Sequence, residues 1–146
     1  MNLERAIEIA AAAHRGQTDK AGQPYILHPL RVMLTCEGEA TRIAAILHDV
    51  IEDSDWTPDA LRAEGASDEI LAALDTVTRR DDETYAEFIE RAACNEIGRA
   101  VKIADLQDNL DLSRITKPTQ ADFSRMDRYR AALQFLGGQG PALAND

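Results

Sequence analysis

Apolar residues recur along most of this chain at spacings of three and four, which is the period of an amphipathic helix. The first such pattern runs from Leu3 to near Gly16. Further helices are predicted over residues 28–38, 41–53, 58–65, 67–78, 84–93, 96–112 and 122–136. We find no alternation of apolar and polar residues long enough for a strand, so the pattern predicts an all-α fold of about seven or eight helices.

The loops between the predicted helices carry glycine and proline. Residues 17–27 separate the first two helices and contain Gly22 and Pro24, which is typical of a turn. A chain of 146 residues fits one compact domain. We therefore predict a single domain over residues 1–137. Residues 138–146 combine glycine, proline and asparagine and are expected to form a flexible C-terminal tail.

Charge and cysteine content restrict the partners and the compartment. The formal net charge of −10 argues against nucleic acid as the main partner, because most of the surface would repel backbone phosphates. A local basic pocket could still bind a small phosphorylated ligand. No apolar run approaches the roughly 18 residues of a membrane span. Cys36 and Cys94 form no CxxC pair, which favours a cytoplasmic protein with reduced thiols. The oligomeric state stays open.

One short segment concentrates titratable side chains: His48 and Asp49 are followed, after two apolar residues, by Glu52 and Asp53. On a continuous helix, residues three and four apart share a face, so His48 would neighbour Glu52, and Asp49 would neighbour both later carboxylates. Grouped carboxylates repel one another unless a cation or bound protons neutralise them. For this segment alone, a solvent-exposed acidic helix end explains the pattern equally well.

Two further positions favour a metal site. His28 stands at a predicted helix start, and Asp105 lies in an apolar stretch where an unpartnered carboxylate would be costly to bury. The combined set of two imidazoles and two carboxylates suits one octahedral divalent ion, with Mn²⁺ the best fit and Fe²⁺ or Zn²⁺ as alternatives. The predicted ligands are His28, His48, Asp49 and Asp105. Such an ion acidifies a water molecule, which Glu52 and Asp53 would orient or deprotonate.

The motifs around these residues resemble those of the hydrolase domain of RelA/SpoT homologues. Residues 48–53, HDVIED, match the HDxxED of that family. Residues 20–29, KAGQPYILHP, resemble its K-x-G-x-P-Y-I-x-H-P, and residues 101–110, VKIADLQDNL, resemble its V-K-L-A-D-x-x-x-N-L. The three motifs occur in order, and the resemblance covers residues 4–136. By this resemblance the chain is identified as a small alarmone hydrolase with an HD-domain helical bundle.

The resemblance implies a metal-dependent enzyme that removes the 3′-diphosphate of (p)ppGpp or (p)ppApp and releases pyrophosphate. The four residues above would hold Mn²⁺, and Glu52 and Asp53 would prepare the nucleophilic water. Asn109 would hydrogen-bond the nucleotide sugar or its phosphate, and Lys20 would pair with phosphate. Arg79 is a further candidate for phosphate, with a solvated arginine as an equal alternative. Arg125 and Tyr129 are weaker candidate substrate contacts, which surface charge and core packing explain at least as well.

Two residues near these motifs are expected to be structural. Tyr25 should support its loop by packing, and His14 should belong to the framework of the first helix.

The sequence departs from the family at one position. The family loop commonly has Arg-Lys, with the arginine stacked on a guanine base, whereas this chain has Asp19-Lys20. An aspartate cannot stack as a guanidinium does, which leaves the choice between guanine and adenine open. Asp19 is therefore itself a candidate substrate contact.

Other activities are consistent with the same motifs. The chain could be a broader HD nucleotidase or an NADPH phosphatase, an activity associated with animal members of the family. A non-catalytic nucleotide sensor is a third reading, although a sensor has no need of the water-activating pair Glu52 and Asp53. The chain is too short to carry a synthetase domain as well, so we expect hydrolysis without synthesis.

Overall fold

The computed structural model describes residues 1–137, which contain nine α-helices and one short 3₁₀-helix. The α-helices are α1 (Leu3–Ala13), α2 (Leu27–Thr35), α3 (Glu39–Leu47), α4 (Val50–Asp53), α5 (Pro58–Ala63), α6 (Asp68–Val77), α7 (Tyr85–Ala93), α8 (Glu96–Asn109) and α9 (Gln120–Leu136). The 3₁₀-helix, Leu112–Arg114, lies between α8 and α9. Within this part of the chain the only β-type pairing is an isolated bridge between Thr18 and Pro24. The predicted all-α class is confirmed. The tail predicted over residues 138–146 lies outside the described residues.

Side-chain caps fix where several helices begin. The Thr57 hydroxyl accepts from the backbone N–H of Ala60 at 3.1 Å, with Pro58 at the first position of α5. Reciprocal capping boxes open α7 and α9, where Thr84 and Thr119 each bond a carboxylate three residues later. Since an N-cap residue satisfies backbone donors that the helix itself cannot, these polar positions set the helix starts.

The core is organised around α3 and α8. Ile43, Ile46 and Leu47 of α3 are fully buried among α1, α2, α6 and α8. A smaller apolar cluster joins α7, α8 and α9 through residues that include Phe88 and Leu106. Burying side chains of this size contributes about 1.5–3 kcal/mol each, so α3 and α8 are anchored from several sides. Within residues 1–137, every helix is too short or too polar to cross a membrane.

A glycine permits the close packing of α8 on α6. A Cβ atom at Gly98 would lie 2.1 Å from Thr76 Oγ1 and 3.4 Å from the Ala73 carbonyl oxygen. A larger residue would therefore force the Thr76 side chain to rotate and give up its hydrogen bond to the Ala73 carbonyl.

The prediction of one continuous helix over residues 41–53 is wrong. The segment is divided into α3 and the single turn α4, with His48 and Asp49 at the junction. In a continuous helix the Ala45 carbonyl would accept from the N–H of Asp49. Here His48 contacts that carbonyl instead, through its backbone N at 3.4 Å and its Nδ1 at 2.6 Å. The backbone N–H of Asp53 still donates to the Asp49 carbonyl at 3.0 Å, so the predicted four-residue relation of these two residues is kept.

Other boundaries differ by a few residues. α2 begins at Leu27, so Pro29 is its third residue; it still lies in the first turn, where a missing N–H costs no helical bond. α8 ends at Asn109 rather than at residue 112, because Asp111 caps the separate 3₁₀-helix through the N–H of Ser113.

Candidate metal centre and adjoining cavity

Three side chains converge where α2, α3 and α4 meet. His28 lies in the first turn of α2, His48 caps the C-terminal end of α3, and Asp49 precedes α4. Asp49 Oδ2 lies 3.1 Å from His48 Nε2 and 3.9 Å from His28 Nε2. The three donor atoms lie within 4.8 Å of one another, so three of the four predicted metal ligands come together.

Asp105 reaches the same point from α8. Its Oδ1 lies 2.9 Å from His28 Nε2 and 3.4 Å from His48 Nε2. Its Oδ2 accepts from Lys102 Nζ at 2.8 Å, and Asn109 Nδ2 donates to Oδ1 at 3.1 Å. The buried carboxylate is therefore compensated by a lysine and an amide, and it presents Oδ1 to both imidazoles.

Contacts behind the imidazoles fix their orientation. His28 Nδ1 lies 2.7 Å from Asp108 Oδ2, and His48 Nδ1 lies 2.6 Å from the Ala45 carbonyl oxygen. Because each acceptor holds the Nδ1 proton, both rings turn Nε2 towards the centre, as outer partners of metal-binding histidines commonly do. Sequence reasoning missed Asp108, although it stands one helical turn after Asp105.

The donor set fits a divalent ion. His48 Nε2 is buried and, among the described residues, has no hydrogen-bond partner of adequate geometry. First-row divalent ions bind nitrogen and oxygen at about 2.0–2.2 Å, so donors up to about 4.4 Å apart can share one ion. Two imidazoles with aspartate oxygens bind Mn²⁺, Fe²⁺ or Zn²⁺. A bound cation would thus satisfy the Nε2 atom of His48, which has no such partner in the described part of the chain.

The charges in this cluster are strongly coupled. Burial alone would raise the pKa of Asp105, but Lys102 and the two imidazoles hold that pKa well below its ordinary value. Burial would lower the pKa of His48, but Asp49 and Asp105 raise it well above its ordinary value. The pKa of Asp49 is lowered to about 2, against the effect of burial, chiefly by His48. A divalent cation would therefore meet ionised carboxylates and would displace protons from the imidazoles.

Tyr25 contacts this cluster directly. Its hydroxyl donates to Asp49 Oδ2, and its ring centroid lies 5.7 Å from that of His28. Burial and the charge of Asp49 raise the pKa of Tyr25 well above its ordinary value, so the hydroxyl remains a donor. The expectation that Tyr25 serves only in packing is wrong, since it also orients a candidate ligand. His14 is buried and pairs through Nδ1 with Gln17, which agrees with the expected structural role.

Glu52 and Asp53 lie at the edge of the cluster. Glu52 Oε1 accepts from the backbone N–H of Arg79 at 2.5 Å, and the backbone carbonyl of Asp53 accepts from Gln17 Nε2 at 3.0 Å. Burial and the charge of Asp49 raise the pKa of both carboxyl groups. Both residues are exposed, although neighbouring atoms partly shield their carboxyl groups, so these side chains meet solvent beside the histidines. Their role in preparing water stays a prediction.

A cavity of about 280 Å³ opens beside the cluster, and His28 forms part of its wall. Five of the six predicted substrate contacts line it: Asp19, Lys20, Asn109, Arg125 and Tyr129. The sixth, Arg79, lies instead in a separate surface groove next to Glu52. The structure therefore groups most, but not all, of the predicted substrate residues around one space.

Each lysine and arginine that lines the cavity is paired with an aspartate. The pairs are Arg31–Asp108, Arg114–Asp108, Lys20–Asp122 and Arg125–Asp122. Sequence reasoning missed Arg31 and Arg114 as cavity residues. Arg31 could have been found, because it follows His28 by three residues and so shares its helical face. Arg114 gave no comparable signal, since its position depends on the turn after α8.

Asp19 shapes the loop in which it lies. Its Oδ1 accepts from the backbone N–H groups of Ala21 and Gln23, both at 2.9 Å, and its own N–H donates to the Gln23 carbonyl at 2.8 Å. This is an Asx-type turn, in which an aspartate side chain replaces a backbone acceptor. The residue that stands in place of the arginine of the family therefore has a structural function in addition to lining the cavity.

Comparisons with known proteins identify the domain family of this chain. The sequence profile of the HD domain matches residues 6–105, more than half of the chain. The chain belongs to the HD-domain family.

Its relatives include long and short proteins. Human guanosine-3′,5′-bis(diphosphate) 3′-pyrophosphohydrolase MESH1 is 34% identical over 152 aligned positions, which cover 93% of this chain and 83% of that protein. A GTP pyrophosphokinase of Streptomyces coelicolor is 31% identical over 128 positions, covering 79% of this chain. This chain spans only 15% of the length of the Streptomyces protein. A solved structure described as a metazoan SpoT orthologue that hydrolyses ppGpp superposes with a TM-score of 0.78 at 25% identity, over 97% of this chain and 88% of that one.

Proposed function

We propose that this protein is a metal-dependent phosphohydrolase that removes the 3′-diphosphate of (p)ppGpp or (p)ppApp and releases pyrophosphate. The observation that carries the proposal is one buried cluster of two imidazoles and two aspartates that borders a cation-lined cavity. The activity named for the MESH1 and SpoT relatives supports the choice of substrate class.

His28, His48, Asp49 and Asp105 would hold the divalent ion, for which Mn²⁺ is the best candidate. Bound there, the ion would acidify water and offset charge on the phosphate group. Lys102, Asn109 and Tyr25 would keep the aspartate oxygens directed at the centre through the hydrogen bonds described above.

Glu52 and Asp53 would take up the proton that the attacking water releases. Their raised pKa values make them stronger bases than ordinary carboxylates, which suits proton uptake near neutral pH. Their exposure leaves both side chains open to water at the edge of the cluster.

The cavity would bind the nucleotide. Lys20, Arg31 and Arg125 are flexible cations within reach of phosphate oxygens there. The aromatic ring of Tyr129 would offer a surface for the base or sugar, and Asn109 a hydrogen-bond donor. Such a substrate and the two free thiols, Cys36 and Cys94, agree with a cytoplasmic enzyme whose partner is a small nucleotide.

A substrate panel tests the proposal. Purified protein with added Mn²⁺ is assayed on ppGpp, pppApp, NADPH and GTP, with pyrophosphate and orthophosphate measured separately. We expect pyrophosphate from one or both alarmones, no reaction with GTP, and no turnover by Asp105→Ala. Orthophosphate from NADPH as the main product would identify a phosphatase instead. Tight binding of ppGpp without turnover would identify a sensor.

A further inference from the structure

A backbone group from outside α4 holds the Glu52 carboxylate. The N–H of Arg79, in the loop of residues 78–84 between α6 and α7, donates to Glu52 Oε1 at 2.5 Å. The direction of that carboxylate therefore depends on where the loop places a single peptide group.

One ion pair holds both the peptide group that contains this N–H and the next peptide group along the chain. Arg91 Nη2 donates to the Thr78 carbonyl at 2.8 Å, and Glu83 Oε1 accepts from the backbone N–H of Arg80 at 2.8 Å. Arg91 and Glu83 are joined by two hydrogen bonds, from Nε to Oε2 at 2.9 Å and from Nη2 to Oε1 at 2.7 Å. The peptide group of the Arg79 N–H is thus held through its own carbonyl and through the N–H that follows it.

The same pair is anchored to the helices on either side of the loop. Arg91 Nη1 donates to the Asp75 carbonyl of α6 at 2.6 Å, and the guanidinium lies 5.7 Å from the centroid of the Phe88 ring in the α7–α8–α9 cluster. The Arg91 and Glu83 side chains are 21% and 9% exposed. Arg91 lowers the pKa of Glu83 to about 2, so the pair stays charged at every pH at which a hydrolase is assayed.

We propose that Arg91 and Glu83 are positioning residues for Glu52, which act by fixing the N–H of Arg79. This rests on the proposed function, in which Glu52 takes up the proton from water. Without the fixed donor, the exposed Glu52 side chain would spread over several rotamers and present its basic oxygen correctly for only part of the time. The ligands of the metal centre are not involved, so ion binding should be unaffected.

The test compares Arg91→Lys with a matched control, Arg99→Lys. Arg99 also bonds backbone carbonyls of neighbouring segments, those of Ala93 and Leu136, but it has no link to Glu52. Lysine keeps the charge and stem of Arg91 and loses the planar fork that reaches four acceptors. We expect kcat of Arg91→Lys to fall roughly 10–100-fold, as for other residues that orient a functional side chain, with KM and Mn²⁺ affinity within about twofold. Arg99→Lys should keep kcat within about twofold. Loss of Mn²⁺ binding in Arg91→Lys, or an unchanged kcat, would overturn the proposal.

A double-mutant cycle separates positioning from general stability. If Arg91 acts through Glu52, Arg91→Lys should add little to the loss already caused by Glu52→Gln, whereas a merely structural role lowers kcat by the same factor in both backgrounds. Equal losses would refute the proposal.

Amide hydrogen exchange at Arg79, measured without metal or nucleotide, tests whether Arg91 and Glu83 fix this N–H, independently of catalysis. We expect faster exchange in Arg91→Lys and in Glu83→Gln than in the parent or in Arg99→Lys. Unchanged protection would overturn the inference even in an active enzyme. If exchange is faster in these variants but the parent hydrolyses none of the four nucleotides of the substrate panel, Arg91 and Glu83 do fix the N–H, and only the proposed function is wrong.

Discussion

The candidate metal centre and the cavity beside it differ in how their side chains are held. In the centre, the side chains of His48, His28 and Asp105 are 3%, 7% and 7% exposed, and each has a partner that fixes its direction. In the cavity, the cations are more exposed, up to 61% for Lys20, and each pairs with an aspartate. In the centre, the imidazole nitrogens and aspartate oxygens are already in position before an ion binds. The cavity can be rearranged most easily at Lys20, because an ion pair with an exposed partner is worth only about 0–1 kcal/mol.

This difference would explain how an acidic protein binds the phosphorylated substrate proposed above. The aspartates of the cavity pair with its cations, and phosphate oxygens would replace them most easily at the exposed Lys20. In the centre no such exchange is available, since removing one partner would leave a buried charge uncompensated. Substitutions in the two regions should therefore differ in size and in the constant that they change.

The largest effect is expected in the centre. Asp105→Ala removes an anionic donor and leaves Lys102 buried without its partner. Mn²⁺ affinity should fall by more than the roughly 100-fold that marks the upper range for residues that only support a ligand, and turnover should fall with it. Isothermal titration and a steady-state assay on the same preparation measure both. Mn²⁺ binding as tight as in the parent would exclude Asp105 as a ligand.

At the edge of the centre, substitution should affect the reaction more than binding. Glu52→Gln and Asp53→Asn keep the shape of the side chain and remove its basic oxygen. We expect kcat to decrease roughly 10²–10⁴-fold, the usual contribution of a general base, with Mn²⁺ content near that of the parent. Metal analysis is the necessary control. A variant that loses the ion has lost a ligand, and the division between binding and proton transfer would then be incorrect at that residue.

Asp108 contacts both the centre and the cavity, so its substitution should change both Mn²⁺ affinity and KM. Asp108→Ala removes the acceptor behind His28, so Mn²⁺ affinity should fall roughly 10–100-fold. It also frees Arg31 and removes one of the two carboxylates that pair with Arg114, so KM at saturating Mn²⁺ should decrease. Asp111→Ala is the control, because it removes the other carboxylate that pairs with Arg114, and the cap of the 3₁₀-helix, without touching His28. Equal Mn²⁺ affinities in the two variants would show that Asp108 does not orient the imidazole.

The two regions also differ in how far the sequence predicts them. His48 and Asp49 were identifiable by the grouping of titratable residues over 48–53, Asp105 by its apolar surroundings, and His28 by its motif at a helix start. The break between α3 and α4 was not, since it depends on His48 taking the Ala45 carbonyl, and both states fit the same apolar spacing.

The cavity was less predictable for a physical reason. Arg114 and Asp111 reach it through a turn after α8, and helical periodicity says nothing about where such a turn leads. Arg79 was placed by analogy on the nucleotide, yet its backbone serves Glu52 and its side chain lies in another groove. Local patterns predict which residues are buried, whereas cavity walls are assembled from loops that the patterns leave undefined.

The smallest effect is expected at Asp19, where a change of base preference must be separated from a change of loop structure. Asp19→Asn keeps Oδ1 as acceptor for Ala21 and Gln23 and removes only the charge, so kcat/KM for ppGpp and pppApp should change little and in parallel. Asp19→Ala removes two hydrogen bonds worth about 1 kcal/mol each, and both values should fall together.

Asp19→Arg combines that loss with a new cation in the cavity, which should favour a stacked guanine by about 1–2 kcal/mol. The informative quantity is therefore the ratio of the two kcat/KM values, in which the shared loop damage cancels. We expect this ratio to be equal in the parent, Asp19→Asn and Asp19→Ala, with pppApp hydrolysed at least as well as ppGpp, and to shift towards guanine in Asp19→Arg alone. If Asp19→Asn shifts the ratio as far as Asp19→Arg does, the charge of the aspartate reads the base and its role in the loop is secondary. If the parent strongly prefers guanine and Asp19→Arg leaves the ratio unmoved, base selection lies elsewhere in the cavity.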